Sequence, residues 1–171
     1  MLVLLDGDTV TVIDEGIALS RLRGAGLRAA GASELHLDAA PVRAWWGNPR
    51  GARRALARAR LYIASLLLGV MRAAAGFSRD YALQRVAFGK PIAHHQALAF
   101  LITDMAMAVE GSRLLVHEAA ARLDRGDDAE EACATAFLEA AEQATFVTPN
   151  AVQILGGHGF MQDYPVEKWM R

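Results

Sequence analysis

The sequence predicts a mainly α-helical protein, an antiparallel up-and-down four-helix bundle preceded by a small and incomplete β segment. Three observations carry this reading. Alanine, the best helix former, supplies 34 of the 171 residues. From Asn48 onward apolar residues recur at helical spacing over stretches too long for strands. Before that point they fall in short β-branched or alternating runs. The expected division is 1–47 for the C-terminal part of a β domain and 48–171 for a helical bundle.

The β segment reads as follows. Leu2 to Leu5 is apolar, Asp6-Gly7-Asp8 is a turn signal, and Thr9 to Ile13 is β-branched throughout, which predicts a hairpin. Glu34 to Asp38 alternates polar and apolar residues, as a half-buried strand does. Gly24, Gly26 and Gly31 mark loops between these runs. Three or four short strands cannot close a barrel, so the segment reads as part of a larger β domain.

The helices follow in order. Leu56, Ile63, Leu66, Leu67, Val70, Ala74, Phe77 and Tyr81 form the apolar stripe of a long first helix, broken at Phe88-Gly89-Lys90-Pro91. A second stripe runs from Leu98 through Leu101, Ile102, Met105, Val109 and Val116 to Leu123, and Asp124 to Asp128 is the next turn. A third helix holds Ala132, Ala136, Phe137, Ala140 and Ala144, ends at Gly156-Gly157, and is expected to kink at Pro149. A fourth is expected from near Gln162 to Arg171. Short turns between long helices predict an up-and-down arrangement with Val70, Leu101, Met105 and Phe137 in its core.

Composition narrows the function classes. With 18 basic against 19 acidic residues the net charge is -1, and no aromatic-interleaved basic motif appears, so a dedicated nucleic-acid binder is not expected. The apolar run Ile63 to Met71, which includes Ser65 and Gly69, is far below the roughly 20 residues of a membrane helix, so no membrane insertion is expected. The first residues carry no basic segment and no cleavage pattern, and no signal peptide is read there. Cys133 is the single cysteine, which excludes an intrachain disulfide and fits a cytoplasmic setting. Metal binding is not expected either. His94 and His95 are adjacent and would point about 100° apart on a helix.

Two clusters admit more than one reading. Arg50, Arg53, Arg54, Arg58 and Arg60 form either a solvated helix face or a polyphosphate site. Gly156-Gly157-His158-Gly159 follows a helix and reads as a C-cap, although bare glycine backbone also lets a pyrophosphate approach closely.

Longer motifs join these pieces. Arg79 to Ile92 (RDYALQRVAFGKPI), then His95-Gln96 and Leu101 to Ala106 (LITDMA), resemble the helical domain of the acyl-CoA dehydrogenase family. Gln153 to Phe160 (QILGGHGF) and Asp163 to Lys168 (DYPVEK) resemble that family's second signature. Arg60 to Ala64 with Gly69 resembles the start of its first long helix, and Leu22 to Val42 the end of its middle β domain. The resemblance covers nearly the whole chain.

The resemblance implies FAD as cofactor, bound at a subunit interface, and α,β-dehydrogenation of an acyl-CoA thioester. A carboxylate takes the α-proton and the β-hydride passes to the flavin. It also implies an electron-transfer flavoprotein or similar acceptor as partner, and a homodimer or tetramer. Residues matching Arg85 and Gln96 would contact the adenine–pyrophosphate half of FAD, with Phe88 and His95 beside them. The stretch matching Gln153, Leu155, Gly156 and Gly157 would reach FAD bound to a neighbouring subunit, and Arg60 would lie near the thioester. The family's usual catalytic Glu falls beyond Arg171, and its less common position matches Ala59. Ala57 stands where an acid often contacts the CoA portion, and Ala87 where a hydroxyl residue is common. The expectation is therefore a fragment of an FAD-dependent acyl-CoA dehydrogenase, inactive alone. The alternatives are a non-catalytic partner subunit of the same fold and a generic helical interaction module.

Overall fold

A computed structural model describes residues 1–6, 9–22 and 33–171. The expected turn at Gly7 and Asp8 and the loop glycines Gly24, Gly26 and Gly31 lie outside the described residues. The chain divides into two compact units, Met1–Leu56 with Arg171, and Ala57–Met170.

Among its described residues the first unit holds five strands: β1 (Leu2–Asp6), β2 (Thr9–Ile13), β3 (Ile17–Arg21), β4 (Ser33–Leu37) and β5 (Val42–Gly47). β1 and β2 pair antiparallel with Leu2 opposite Ile13 and Asp6 opposite Thr9. β5 joins on the far side of β2, Thr9 facing Gly47. β3 and β4 form a separate antiparallel ladder with Ile17 opposite Leu37. The hairpin and the strand at β4 were legible. β3 and β5 were not, because Ile-Ala-Leu-Ser-Arg lacks alternation and β5 carries two adjacent tryptophans. Pairing with neighbouring strands, rather than intrinsic propensity, makes them strands.

The second unit is built on long helices. α1 (Pro49–Gln84) starts before the division between the units and runs on without a break. Its start is capped: the Gly51 N–H donates to Asn48 Oδ1 at 2.9 Å, and Pro49 sits where its missing N–H costs nothing. α2 (Gln96–Arg125) ends at Gly126, whose N–H donates to Leu123 O at 3.1 Å and whose φ of 79° turns the chain so that the Asp127 N–H reaches Arg122 O at 3.0 Å. α3 (Glu130–Leu155) passes through Pro149 as one helix. Near the proline, Thr148 Oγ1 donates to Ala144 O and Asn150 Nδ2 to Phe146 O, each at 2.8 Å, so side chains engage nearby carbonyls.

The inward face of α1 is Ala57, Ala64, Leu68, Met71, Ala74 and Ala82. It meets Met105, Val109 and Val116 of α2 and Cys133, Ala136, Ala140, Val147 and Ala151 of α3 in one buried cluster. Leu101 and Phe137 pack against this cluster partly buried. Val70, expected inside, is only half-buried, because its neighbour Met71 takes the inward position and one residue turns a helix by about 100°.

The order is up, down, up. α2 and α3 are joined by a short turn. Phe77, near the end of α1, contacts Tyr164 and Trp169 beyond the end of α3, with ring centroids at 6.4 and 6.1 Å. α1 and α3 therefore run the same way, with α2 reversed. The fourth helix corrects the expectation: α4 spans only Val166–Met170 and does not start near Gln162. The residue before a proline is driven from helical geometry, so Tyr164-Pro165 sets the earliest start. Among the described residues α1 alone is long and apolar enough to cross a membrane. An 18-residue window reaches a mean hydropathy of 1.5, which the length of the Ile63 to Met71 run understated.

Candidate functional site

The connection from α1 to α2 is a tight hairpin. β6 (Val86–Ala87) and β7 (Lys90–Pro91) pair antiparallel around Phe88-Gly89, at φ 54° and 80°. Positive φ at both central residues is the turn that suits strand twist, and glycine adopts it freely. Phe88 does not: an aromatic residue there is strained, by about 1–3 kcal/mol, and such strain gathers at functional positions. Its ring is 94% exposed. The hairpin is closed by the Ile92 N–H donating to Arg85 O at 2.8 Å. His95 Nε2 lies 3.2 Å from Ala87 O, and the His95 ring meets Phe88 edge-on, centroids 6.0 Å apart. Gln96, the first residue of α2, is exposed. So is Arg85, whose guanidinium pairs with no carboxylate among the described residues.

At the end of α3 the chain turns through Gly156 to Phe160 in a 3-10 helix. Gly156 has φ 59° and ψ −131°, a region that only glycine enters readily. Gly156 and Gly157 are exposed, and Gln153 projects from the last turn of α3. Leu155 is 4% exposed, its side chain part of the core. His158 closes the arrangement. Its Nδ1 lies 2.8 Å from the Tyr81 hydroxyl, and its ring stacks on Tyr164 with centroids 5.0 Å apart and planes 8° from parallel. Tyr81 meets Tyr164 edge-on at 5.9 Å.

These contacts gather two groups of candidate residues at one end of the bundle. Arg85, Phe88, His95 and Gln96 lie on one connection, and Gln153, Gly156 and Gly157 on the other. Tyr81 links them: its hydroxyl meets His158, and its carbonyl accepts the Arg85 N–H at 2.8 Å. Tyr81, His158 and Tyr164 stand within the sequence motifs, but nothing in those motifs marks the contacts among the three. A contact across 77 residues leaves no local signal.

Arg60 stands apart, some 25 positions before Arg85, or about 37 Å along α1 at 1.5 Å per residue. It is half-buried, with Ala59 exposed beside it. Burial pushes the Cys133 thiol up from its ordinary value, and the charge of Arg60 pulls it part of the way back. The charge of Arg60 is thus felt at Cys133, near the start of α3. Arg50, Arg53, Arg54 and Arg58 are exposed on the first turns of α1. Among the described residues no three His, Cys, Asp or Glu side chains gather as metal ligands do.

The donor set at the Arg85 end fits a dinucleotide. An unpaired guanidinium suits phosphate oxygens, a carboxamide offers donor and acceptor, and an exposed ring offers a stacking face. Nothing stands within 4 Å of where a Gly157 side chain would begin, so its backbone is open to a ligand.

Comparison with known proteins shows the family. A family model described as acyl-CoA dehydrogenase, C-terminal domain, matches residues 50–171. An acyl-CoA dehydrogenase of Bacillus subtilis (strain 168) is 43% identical over 112 residues, 66% of this chain and 30% of that protein. A caffeyl-CoA reductase-Etf complex subunit, CarC of Acetobacterium woodii, is 40% identical over 112 residues, 66% of this chain and 30% of that one. The structure of butyryl-CoA dehydrogenase from Megasphaera elsdenii superposes with a TM-score of 0.80 at 30% identity, covering 96% of this chain and 46% of that one. The chain thus spans less than half the length of these relatives. Because the family model matches well over half of the chain, residues 50–171, the chain belongs to the acyl-CoA dehydrogenase family.

Proposed function

We propose that this chain is the C-terminal helical part, with a portion of the middle β domain, of an FAD-dependent acyl-CoA dehydrogenase. The observation that carries this reading is the convergence of Arg85, Phe88, His95 and Gln96 with the open Gly156–Gly157 backbone at one end of the bundle. When bound, the flavin supplies the hydride-accepting ring. The residues of this chain bind and orient. Arg85 neutralises phosphate charge, and Gln96 and Gln153 offer amide donors and acceptors. Phe88 offers a face to the adenine, His95 holds the hairpin that carries Phe88, and the glycines let backbone N–H groups approach the pyrophosphate. Arg60 lies toward the acyl thioester, at the other end of α1. The proposed setting is cytoplasmic, as a homodimer or tetramer. The acceptor is an electron-transfer flavoprotein, a partner class that the name of the related CarC subunit includes.

The test is direct. The protein that carries these residues, purified without added cofactor, is expected to show flavin absorption and to lose it anaerobically on addition of an acyl-CoA. A colourless protein that takes up no FAD on titration would overturn the reading.

A further inference from the structure

We infer that Tyr81 and His158 are a positioning pair, holding the Arg85 turn and the Gly156–Gly157 turn in fixed relation so that both face one ligand. This rests on the reading of that end of the bundle as an FAD site. Three observations support it. First, in Gly156–Gly157–His158–Gly159 only His158 has a side chain, so any side-chain tie from this turn to another element runs through His158. Its Nδ1 stands 2.8 Å from the Tyr81 hydroxyl. Either tautomer makes this bond, since the hydroxyl donates to a bare Nδ1 or accepts from an Nδ1–H. Second, the partner lies within one helical turn of Arg85. The Arg85 N–H donates to the Tyr81 carbonyl at 2.8 Å, so displacing Tyr81 displaces Arg85. Third, neither ring is free to swing. His158 stacks on Tyr164 at 5.0 Å, and Tyr81 packs edge-on against both at 5.9 Å.

A pair that only stabilised the fold would need no connection to exposed groups. Here both members adjoin exposed groups: Arg85 four residues after Tyr81, and Gly157 immediately before His158. A diphosphate bridging the two turns would lose affinity if either shifted by about an ångström, because charged hydrogen bonds weaken steeply outside their narrow distance range.

The experiment measures FAD affinity by flavin fluorescence in the apo-form of the protein that carries these residues, well below its unfolding temperature. Tyr81→Phe removes one oxygen and keeps the ring contacts. It is expected to raise the FAD Kd roughly three- to tenfold, the loss of one neutral hydrogen bond. Amide exchange at Gly157 to Gly159 is expected to quicken by a similar factor. His158→Ala should weaken FAD at least as much. His158→Asn places a carboxamide where the near half of the ring stood, and it should restore affinity to within about threefold of the parent. Arg85→Ala is the control on the site itself. If it weakens FAD while Tyr81→Phe leaves Kd unchanged and only lowers the unfolding temperature, the pair is merely structural and the inference falls. If Arg85→Ala also leaves Kd unchanged, the FAD reading falls and the inference with it.

Discussion

Gly159 rests directly on Val152: a Cβ at Gly159 would stand 2.5 Å from the Val152 carbonyl oxygen and 2.9 Å from its Cγ1. The obstacle is backbone, so no rotamer change relieves it. Gly159→Ala is expected to destabilise by about 1–3 kcal/mol, the range for forcing atoms into a packed interior. That should lower the unfolding midpoint by several degrees in a thermal melt. Gly157→Ala, where the new methyl meets nothing within 4 Å, should change stability by no more than about 0.5 kcal/mol. Equal midpoints for the two variants would refute this division of roles.

Arg85 offers a sharper test of binding. Its guanidinium is exposed and pairs with no carboxylate among the described residues, so removing it leaves no buried charge and little packing loss. Arg85→Ala should therefore act on FAD and not on folding. A charged hydrogen bond contributes about 1.5–3 kcal/mol, which is a loss of roughly ten- to 150-fold in affinity. Arg85→Lys should recover part of it, because an ammonium keeps the charge but not the planar fork. Full flavin occupancy in the Ala variant would remove Arg85 from the site.

The two ends of this site differ in how far the sequence exposed them. Arg85, Phe88 and the glycines stand inside contiguous motifs, where residue type and spacing carry the signal. The Phe88-Gly89 reversal was legible only as a helix break. That it is a hairpin with Phe88 at φ 54° depends on pairing between Val86–Ala87 and Lys90–Pro91, two residues a side. The Tyr81–His158 bond was out of reach, since it forms only once α1 and the end of α3 are packed together. Val70 shows the limit of periodicity. A stripe of apolar residues marks a helix face, but over 36 residues a small error in phase exchanges one neighbour for the next. The short α4 shows the opposite case, where the local rule at Pro165 was present in the sequence and outweighed the apolar pattern around it.

Cys133 gives a prediction in pH. Burial holds its thiol above the ordinary value, while the unfolded chain exposes it. A folded value above the unfolded one means that the neutral thiol favours the native state. That contribution is complete below the unfolded thiol range, near 8.5, and is lost as pH rises through the folded value. Native protein at pH 8 should resist iodoacetamide, and denatured protein should react readily. Because the charge of Arg60 pulls the thiol down, Arg60→Met should slow native alkylation further. Rapid labelling of the folded chain would contradict the burial argument.

Association should show on α2. Phe100, Met107 and Leu114 recur at intervals of seven and are 60%, 68% and 61% exposed, a row on one face of the helix. Apolar rows of this kind mark surfaces that become covered. Sedimentation is expected to show a concentration-dependent oligomer, and Met107→Glu should shift it toward smaller species with helicity unchanged. A parent protein that stays monomeric throughout would leave the row without this explanation.

The last prediction concerns residues 1–171 on their own, with FAD and acyl-CoA supplied: no dehydrogenation. Proton removal needs a carboxylate close to the thioester, and under the proposed function that region lies beside Arg60. α1 carries no Asp or Glu from Pro49 to Arg79, and the residue beside Arg60 is Ala59. Arg60 itself makes no ion pair among the described residues. Three of the glutamates on the neighbouring helices are engaged locally. Glu110 pairs with Arg113 at 2.7 Å, Glu118 with Arg122 at 2.6 Å, and Glu139 accepts from Gln143 at 3.0 Å. General-base catalysis contributes about 10²–10⁴-fold, so even a well-placed flavin would react slowly without it. Anaerobic mixing of these residues with stoichiometric FAD and a range of acyl-CoA lengths should leave the flavin absorption intact. Stoichiometric bleaching would place the base among these carboxylates. Glu131 and Glu142, which none of these three contacts engages, would then be the first to replace with Gln.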